Sequence, residues 1–319
     1  MRATPCVPSI AKLARLNPYQ RQQLQQQLEH GDPRQAMANL IQQLHPQSDC
    51  PHCHQPELRP WGSSDGLPRS RCRHCGKTCN ALTGTPLARL RQREQWARFA
   101  QTLIDGLSVQ AAAAQCAIGK NIAWRWRQRF LATVADHRAE HLGGIVEADE
   151  TFFLESFKGQ RHLNRPSRQR GGVAQKRGIN AEQIPVLVVR DRSGQTADFQ
   201  LARLDTAHIA AVLGPLVDAD AMLCTDSAGV YAAFAKASGL RHRAINVRRG
   251  QRVDGVFHIQ NVNAYDSRLK QWMRRFHGVA TRYLVNYLGW RRMLERYRSG
   301  ITPQLCLAEA LGVQQLMNT

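Results

Sequence analysis

Acidic residues are scarce in this chain: 24 Asp and Glu stand against 44 Lys and Arg in 319 residues, a formal charge of +20. Between residues 158 and 177 the scarcity is complete, with seven Lys or Arg and no acid. No run approaches the roughly 20 consecutive apolar residues that a membrane-spanning helix needs. The amino terminus, MRATPCVPSIAKLARLNP, lacks the continuous apolar stretch of a secretory signal. The sequence-based expectation is therefore a cytoplasmic protein with no membrane partner. No internal repeat is evident. What the chain does have is enough apolar content, 43%, to fill real cores, which excludes a disordered protein. A charge this large favours polyanions, because each neutralised phosphate releases condensed counterions, and nucleic acid is the leading partner.

Nine cysteines would suit a disulfide framework in a secreted chain, but in a reducing compartment close pairs read as metal ligands. Cys50 and Cys53 form one C-x2-C knuckle, Cys72 and Cys75 another, with 18 residues between them. Two such turns present four thiolates tetrahedrally to one Zn²⁺ and leave no open position, so the ion is structural. His52, His54, His74 and Cys79 are nearby substitutes that the symmetry of the two pairs makes unnecessary.

Residues 1–45 read as a helical accessory segment. Asp32 and Pro33 open a helix on which Met37, Leu40, Ile41 and Leu44 recur at helical spacing, and Leu24 and Leu28 mark a partner helix before it. The ribbon covers 46–92. Between 93 and 141 the pattern is a helix-turn-helix: Ser108 caps one helix, Ile118-Gly119-Lys120 turns, and a second helix buries Ile122, Trp126 and Phe130. Its exposed residues, Lys120, Asn121, Arg125, Arg127, Gln128 and Arg129, are placed for DNA, and Trp124 is assigned with Trp126 to the core. Residues 142–298 alternate strands, near 145–153, 185–191, 196–203, 221–225 and 243–247, with helices near 205–217, 228–238, 261–275 and 280–297. The basic insertion 156–182 is expected to be a mobile loop until it meets phosphate, with Arg168, Arg170, Lys176 and Arg177 as contacts. A tail follows from 299 to 319.

The chemistry concentrates in two acids that end apolar, strand-like runs: Asp149 in GGIVEADETFF and Asp226 in AMLCTDSAGVY. Carboxylates at strand ends can bridge a pair of divalent ions for phosphoryl transfer. Downstream, HIQNVNAYDSRLKQW sets Asn263 and Lys270 seven residues apart, on one face of a helix. Glu147 shares the strand face of Asp149 and is a possible substitute ligand, whereas Glu150 points to the opposite face. His258, just before the helix, is a further candidate for the same centre.

Taken in order, the zinc ribbon, the helix-turn-helix, VEADETFF, TDSAGVY and HIQNVNAYDSRLK resemble the ISXO-like insertion-sequence transposases over roughly residues 45–297. The resemblance implies an α/β catalytic domain of the RNase H-like fold, a homo-oligomer acting on double-stranded DNA in the nucleoid, and cleavage and strand transfer with Mg²⁺ or Mn²⁺. It implies Asp149 and Asp226 as metal-binding aspartates, Asn263 in the third position that many relatives fill with Glu, and Lys270 as the basic residue that follows. Two rivals stand beside it: another RNase H-like nuclease such as a junction resolvase, and a zinc-dependent DNA-binding regulator whose catalytic domain is inert.

Overall fold

The computed structural model describes residues 32–163, 165–169, 172–176, 180–246 and 249–313. Leu24, Leu28, Arg170 and Arg177, named above, lie outside them. Helix α1 (Pro33–Leu44) starts as its sequence dictates. The Asp32 carboxylate accepts from the Arg34 amide at 2.9 Å, and Met37, Ala38 and Ile41 are buried. Strands β1 (Leu58–Ser64), β2 (Leu67–Cys72) and β3 (Thr78–Cys79) form a small antiparallel sheet. Helices α2 (Trp96–Ile104), α3 (Val109–Gln115), α4 (Lys120–Phe130) and α5 (Ala132–Asp136) follow. Ser108 caps α3 as expected, its hydroxyl accepting from Ala111 at 3.2 Å.

The second sheet has five strands: β4 (Ile145–Leu154), β5 (Gln183–Asp191), β6 (Thr196–Gln200), β7 (Met222–Asp226) and β8 (Arg241–Ile245). Their order is β6-β5-β4-β7-β8, with the first two pairings antiparallel and the last two parallel. Helices α6 (Thr206–Leu216) and α7 (Gly229–Ser238) supply the crossovers needed by the parallel strands. Together with Val146, Ala148, Leu187 and Val189 they enclose a core on one face of the sheet. On the other face, Val186, Val188 and Cys224 join a larger core that includes α8 (Gln260–Arg274) and α9 (Leu284–Tyr297) and runs back through α2 to α5 as far as α1.

The expected tail is a structural element. Helix α10 (Pro303–Leu311), capped by Thr302, buries Cys306, Leu307, Ala310 and Leu311 in that larger core. Helix α9 packs so closely on α5 that a Cβ at Gly289 would lie 2.4 Å from the Val134 carbonyl oxygen. Arg292 of α9 then donates to Ala135 O at 2.7 Å and pairs with Asp198 on β6, locking the helical half to the sheet.

Candidate functional site

The parallel register of β4 and β7 pairs Ala148 with Thr225, so the next residues, Asp149 and Asp226, lie side by side just past that ladder. Asp226 ends β7, but Asp149 does not end its strand as its apolar run suggested: β4 continues to Leu154, paired with β5. Neighbouring strands lie about 4.8 Å apart, which suits two carboxylates serving one cation centre. Both are half-buried. Burial, reinforced by the Asp226 charge and opposed by Lys270, pushes the Asp149 carboxyl up to about 6. Glu150 does project to the other face, where the Tyr231 hydroxyl of α7 donates to it. Burial pushes it up to about 7 against that bond, and the Asp149 and Asp226 charges add to the rise.

Helix α8 crosses the face that carries Asp149, and Glu147 fixes its start. This carboxylate is fully buried and accepts from Asn261 N at 2.8 Å, Asn261 Nδ2 at 3.0 Å and Val262 N at 3.0 Å, with Arg192 at 3.2 Å. A negative charge on the orphan amides of a helix start is favourable electrostatically as well as by hydrogen bonding. Glu147 is therefore a capping group whose oxygens are already occupied, and its expected role as a substitute metal ligand is corrected. His258 stands in the same cluster, 3.4 Å from Glu147, its Nδ1 accepting from Gln260 N and its Nε2 2.5 Å from Arg192.

Along α8, Val262, Tyr265, Asp266 and Leu269 are buried, while Asn263 and Lys270 are exposed. Asp266 escaped the sequence reading. It sits on the buried stripe, where an acid is rare, and its Oδ1 has no hydrogen-bond partner. Burial, with the nearby Asp149 charge adding and Lys270 opposing, pushes its carboxyl up to about 8.

The four cysteines meet as the spacing requires. Their Sγ atoms all lie within 4.8 Å of one another, with Cys50 to Cys75 and Cys53 to Cys72 each 3.6 Å apart. A tetrahedral Zn²⁺ with bonds of about 2.3 Å sets its sulfurs about 3.8 Å apart, so the donor set fits that ion.

Helix α4 exposes Lys120, Asn121 and Arg125, but three expectations about it are corrected. Arg127 is 1% exposed; its guanidinium donates to Leu107 O at 2.6 Å and lies over the rings of Trp290 and Phe276, which fixes it in the core away from any phosphate. Arg129 is half-buried and donates to the carbonyls of Pro86 and Ala88, tying α4 to the segment that follows β3. The buried stripe is Ala123, Trp126, Arg127 and Phe130, leaving Ile122 and Trp124 exposed, the latter edge-on to Tyr283.

In the basic insertion, Lys176 is exposed, whereas Arg168 donates to Glu155 O and to Glu182 Oε1 at 2.8 Å. Arg168 therefore serves as an internal brace, not a free cation, and its described neighbourhood is anchored where a freely mobile loop was expected. Lys158 likewise donates to Gly278 O at 2.9 Å.

Residues 141–291 match the family model of the ISXO2-like transposase domain. The chain carries an ISXO2-like transposase domain. Both aspartates, Asn263, Asp266 and Lys270 fall within it. The chain is also similar to an uncharacterized protein in transposable element ISH50 of Halobacterium salinarum, 27% identical over 257 residues, which span 79% of this chain and 87% of that protein. Among solved structures, a simian T-cell lymphotropic virus intasome chain matches 60% of this chain and 66% of its own length at 14% identity and a TM-score of 0.27. A chain of a pre-cleavage Mos1 transpososome matches 73% of this chain and 82% of its own at 13% identity and a TM-score of 0.22. TM-scores this low carry no weight beside the match to the ISXO2-like domain. No helix among the described residues is long and apolar enough to cross a membrane.

Proposed function

We propose that this chain is the transposase of an insertion sequence, which binds the ends of its element and cuts and joins DNA strands at Asp149, Asp226 and Asn263 with the help of divalent ions. The observation that carries this reading is the juxtaposition of Asp149, midway along β4, with Asp226, the last residue of the neighbouring β7, within the ISXO2-like domain. The sheet order, two antiparallel pairings followed by two parallel ones with helices on both faces, supports an RNase H-like catalytic domain. The donor set suits a hard cation: oxygens whose negative charge burial disfavours in the metal-free protein, as the raised Asp149 carboxyl records, gain a compensating dication. Mg²⁺ or Mn²⁺ bound there would supply an activated nucleophile and stabilisation of the leaving 3′-oxygen.

The chain's own residues do the rest. Asp149 and Asp226 hold the charge-bridging oxygens, Asn263 offers a neutral carbonyl oxygen from the exposed face of α8, and Lys270, two turns on, holds a phosphate oxygen in place. The four cysteines hold a structural zinc. Helices α3 and α4 act as a helix-turn-helix, with Lys120, Asn121 and Arg125 on double-stranded DNA and Lys176 adding a contact from the basic insertion. Joining two element ends in the nucleoid calls for a homo-oligomer. Asp149→Asn and Asp226→Asn should each abolish Mg²⁺-dependent cleavage of element-end DNA while leaving gel-shift affinity within about twofold of wild type, because an amide lacks the bridging charge. Near-normal cleavage by both variants would remove these residues from the mechanism.

A further inference from the structure

A buried carboxylate oxygen with nothing to bond to is costly, by about 1–3 kcal/mol or more for a charged group. Asp266 has one. It is 6% exposed, on the stripe of α8 that faces the sheet, and its Oδ1 finds no donor from any neighbouring element. Three other buried acids, Glu147, Asp198 and Glu309, are engaged on both carboxylate oxygens. Glu147 takes two amides and Arg192, Asp198 takes Arg292, and Glu309 takes His137, Arg296 and Tyr297. Asp266 is thus an exception that calls for a partner the polypeptide does not supply.

Its surroundings indicate what that partner is. The charges felt most strongly at Asp266, after burial itself, are the negative Asp149 and the positive Lys270, the two residues that flank the reaction centre. Three positions earlier, on the adjoining face of the same helix, stands Asn263, a neutral ligand where charge is wanted. We propose that Asp266 is a further acidic ligand of the divalent-cation centre, giving its Oδ1 to an ion shared with Asp149 and restoring the negative charge that Asn263 lacks. This rests on the functional reading above.

The oxygens of Asp149, Asp226 and Asp266 do not fall in one cluster of 4.8 Å, as the four thiolates do. The competing reading is a permanently protonated acid that only fills the core.

Mn²⁺ binding to the zinc-loaded, full-length protein separates the two. Titration followed by the electron paramagnetic resonance of free Mn²⁺ should show Asp266→Asn and Asp266→Ala weakening affinity by roughly 10- to 100-fold. Asp266→Glu should stay within a few-fold of wild type. Without Mn²⁺, Asp266→Asn should melt no lower than wild type, since the amide is a neutral isostere of the protonated acid that burial favours, and it should gain less melting temperature on adding Mn²⁺. Wild-type Mn²⁺ affinity in Asp266→Asn, alongside lost affinity in Asp149→Asn, would overturn the inference and leave the catalytic reading standing. Wild-type affinity in Asp149→Asn and Asp226→Asn as well would overturn both.

Discussion

Residue-scale chemistry is set by where acids are buried. Asp149, Glu150 and Asp266, raised to about 6, 7 and 8, bind protons in the folded, metal-free protein at pH values where the unfolded chain has released them. Folded molecules then hold more protons than unfolded ones from about pH 4 to pH 8, so these groups lower stability as pH rises through that window. Thermal melts of zinc-loaded protein without added Mg²⁺ should show this fall, and Asp149→Asn should flatten its lower part, toward pH 6. A wild-type melting temperature that climbs from pH 5 to pH 8 in step with the variant's would contradict the burial of these carboxyls. The same scale shows what a sequence discloses. Asp149 and Asp226 were legible because each ends an apolar run. Arg127 and Asp266 were legible in principle, since Ala123, Trp126, Arg127 and Phe130, like Val262, Tyr265, Asp266 and Leu269, follow the spacing of a buried helical stripe. Reading the charge before the spacing put Arg127 on DNA and passed over Asp266.

Among the elements, strands and long helices fell within a few residues of their expected bounds, because apolar runs and caps act locally. What acts over long range did not show. Glu147 caps α8 from 114 residues away, and no periodicity announces that contact. The pairing of Arg168 with Glu182 depends on the return path of the basic insertion. Helix α10 was different: Thr302 and Pro303 repeat the cap-and-proline opening of Asp32 and Pro33, a signal that was present and unread. Two predictions belong here. Glu147→Gln keeps the shape of the cap but leaves Arg192 and the α8 amides without their charge. It should cost roughly 1–3 kcal/mol in urea denaturation and slow cleavage through misplacement of Asn263 and Lys270; a neutral effect on both would remove the cap from the account. Cys53→Ser should drop zinc content from about one ion per chain and expose β1 to β3 to proteolysis while the five-stranded sheet persists, because binding and local folding are one equilibrium there. Metal analysis that finds no zinc in the wild type would defeat the assignment.

Over the whole molecule, one core runs from α1 through α2 to α5, α8, α9 and α10 to the sheet. The four-cysteine module, the α3–α4 pair and the aspartate pair are thereby held in fixed relation, so the proposed function requires any DNA held by α4 to meet Asp149 and Asp226 at a set distance. The boundaries at 92, 141 and 298 mark changes in sequence character, while the packing is continuous across them. The proposed chemistry stands or falls on the aspartate pair. The most direct measurement is localised oxidative cleavage of the polypeptide with Fe²⁺ in place of Mg²⁺, ascorbate present and zinc retained, with the cut sites mapped by mass spectrometry. Cuts clustered near residues 149, 226 and 263–270, competed away by Mg²⁺ and lost in Asp149→Asn, are the expected result. Cuts confined to the cysteine knuckles at 50–75, or unchanged in Asp149→Asn, would contradict a cation centre at Asp149 and Asp226.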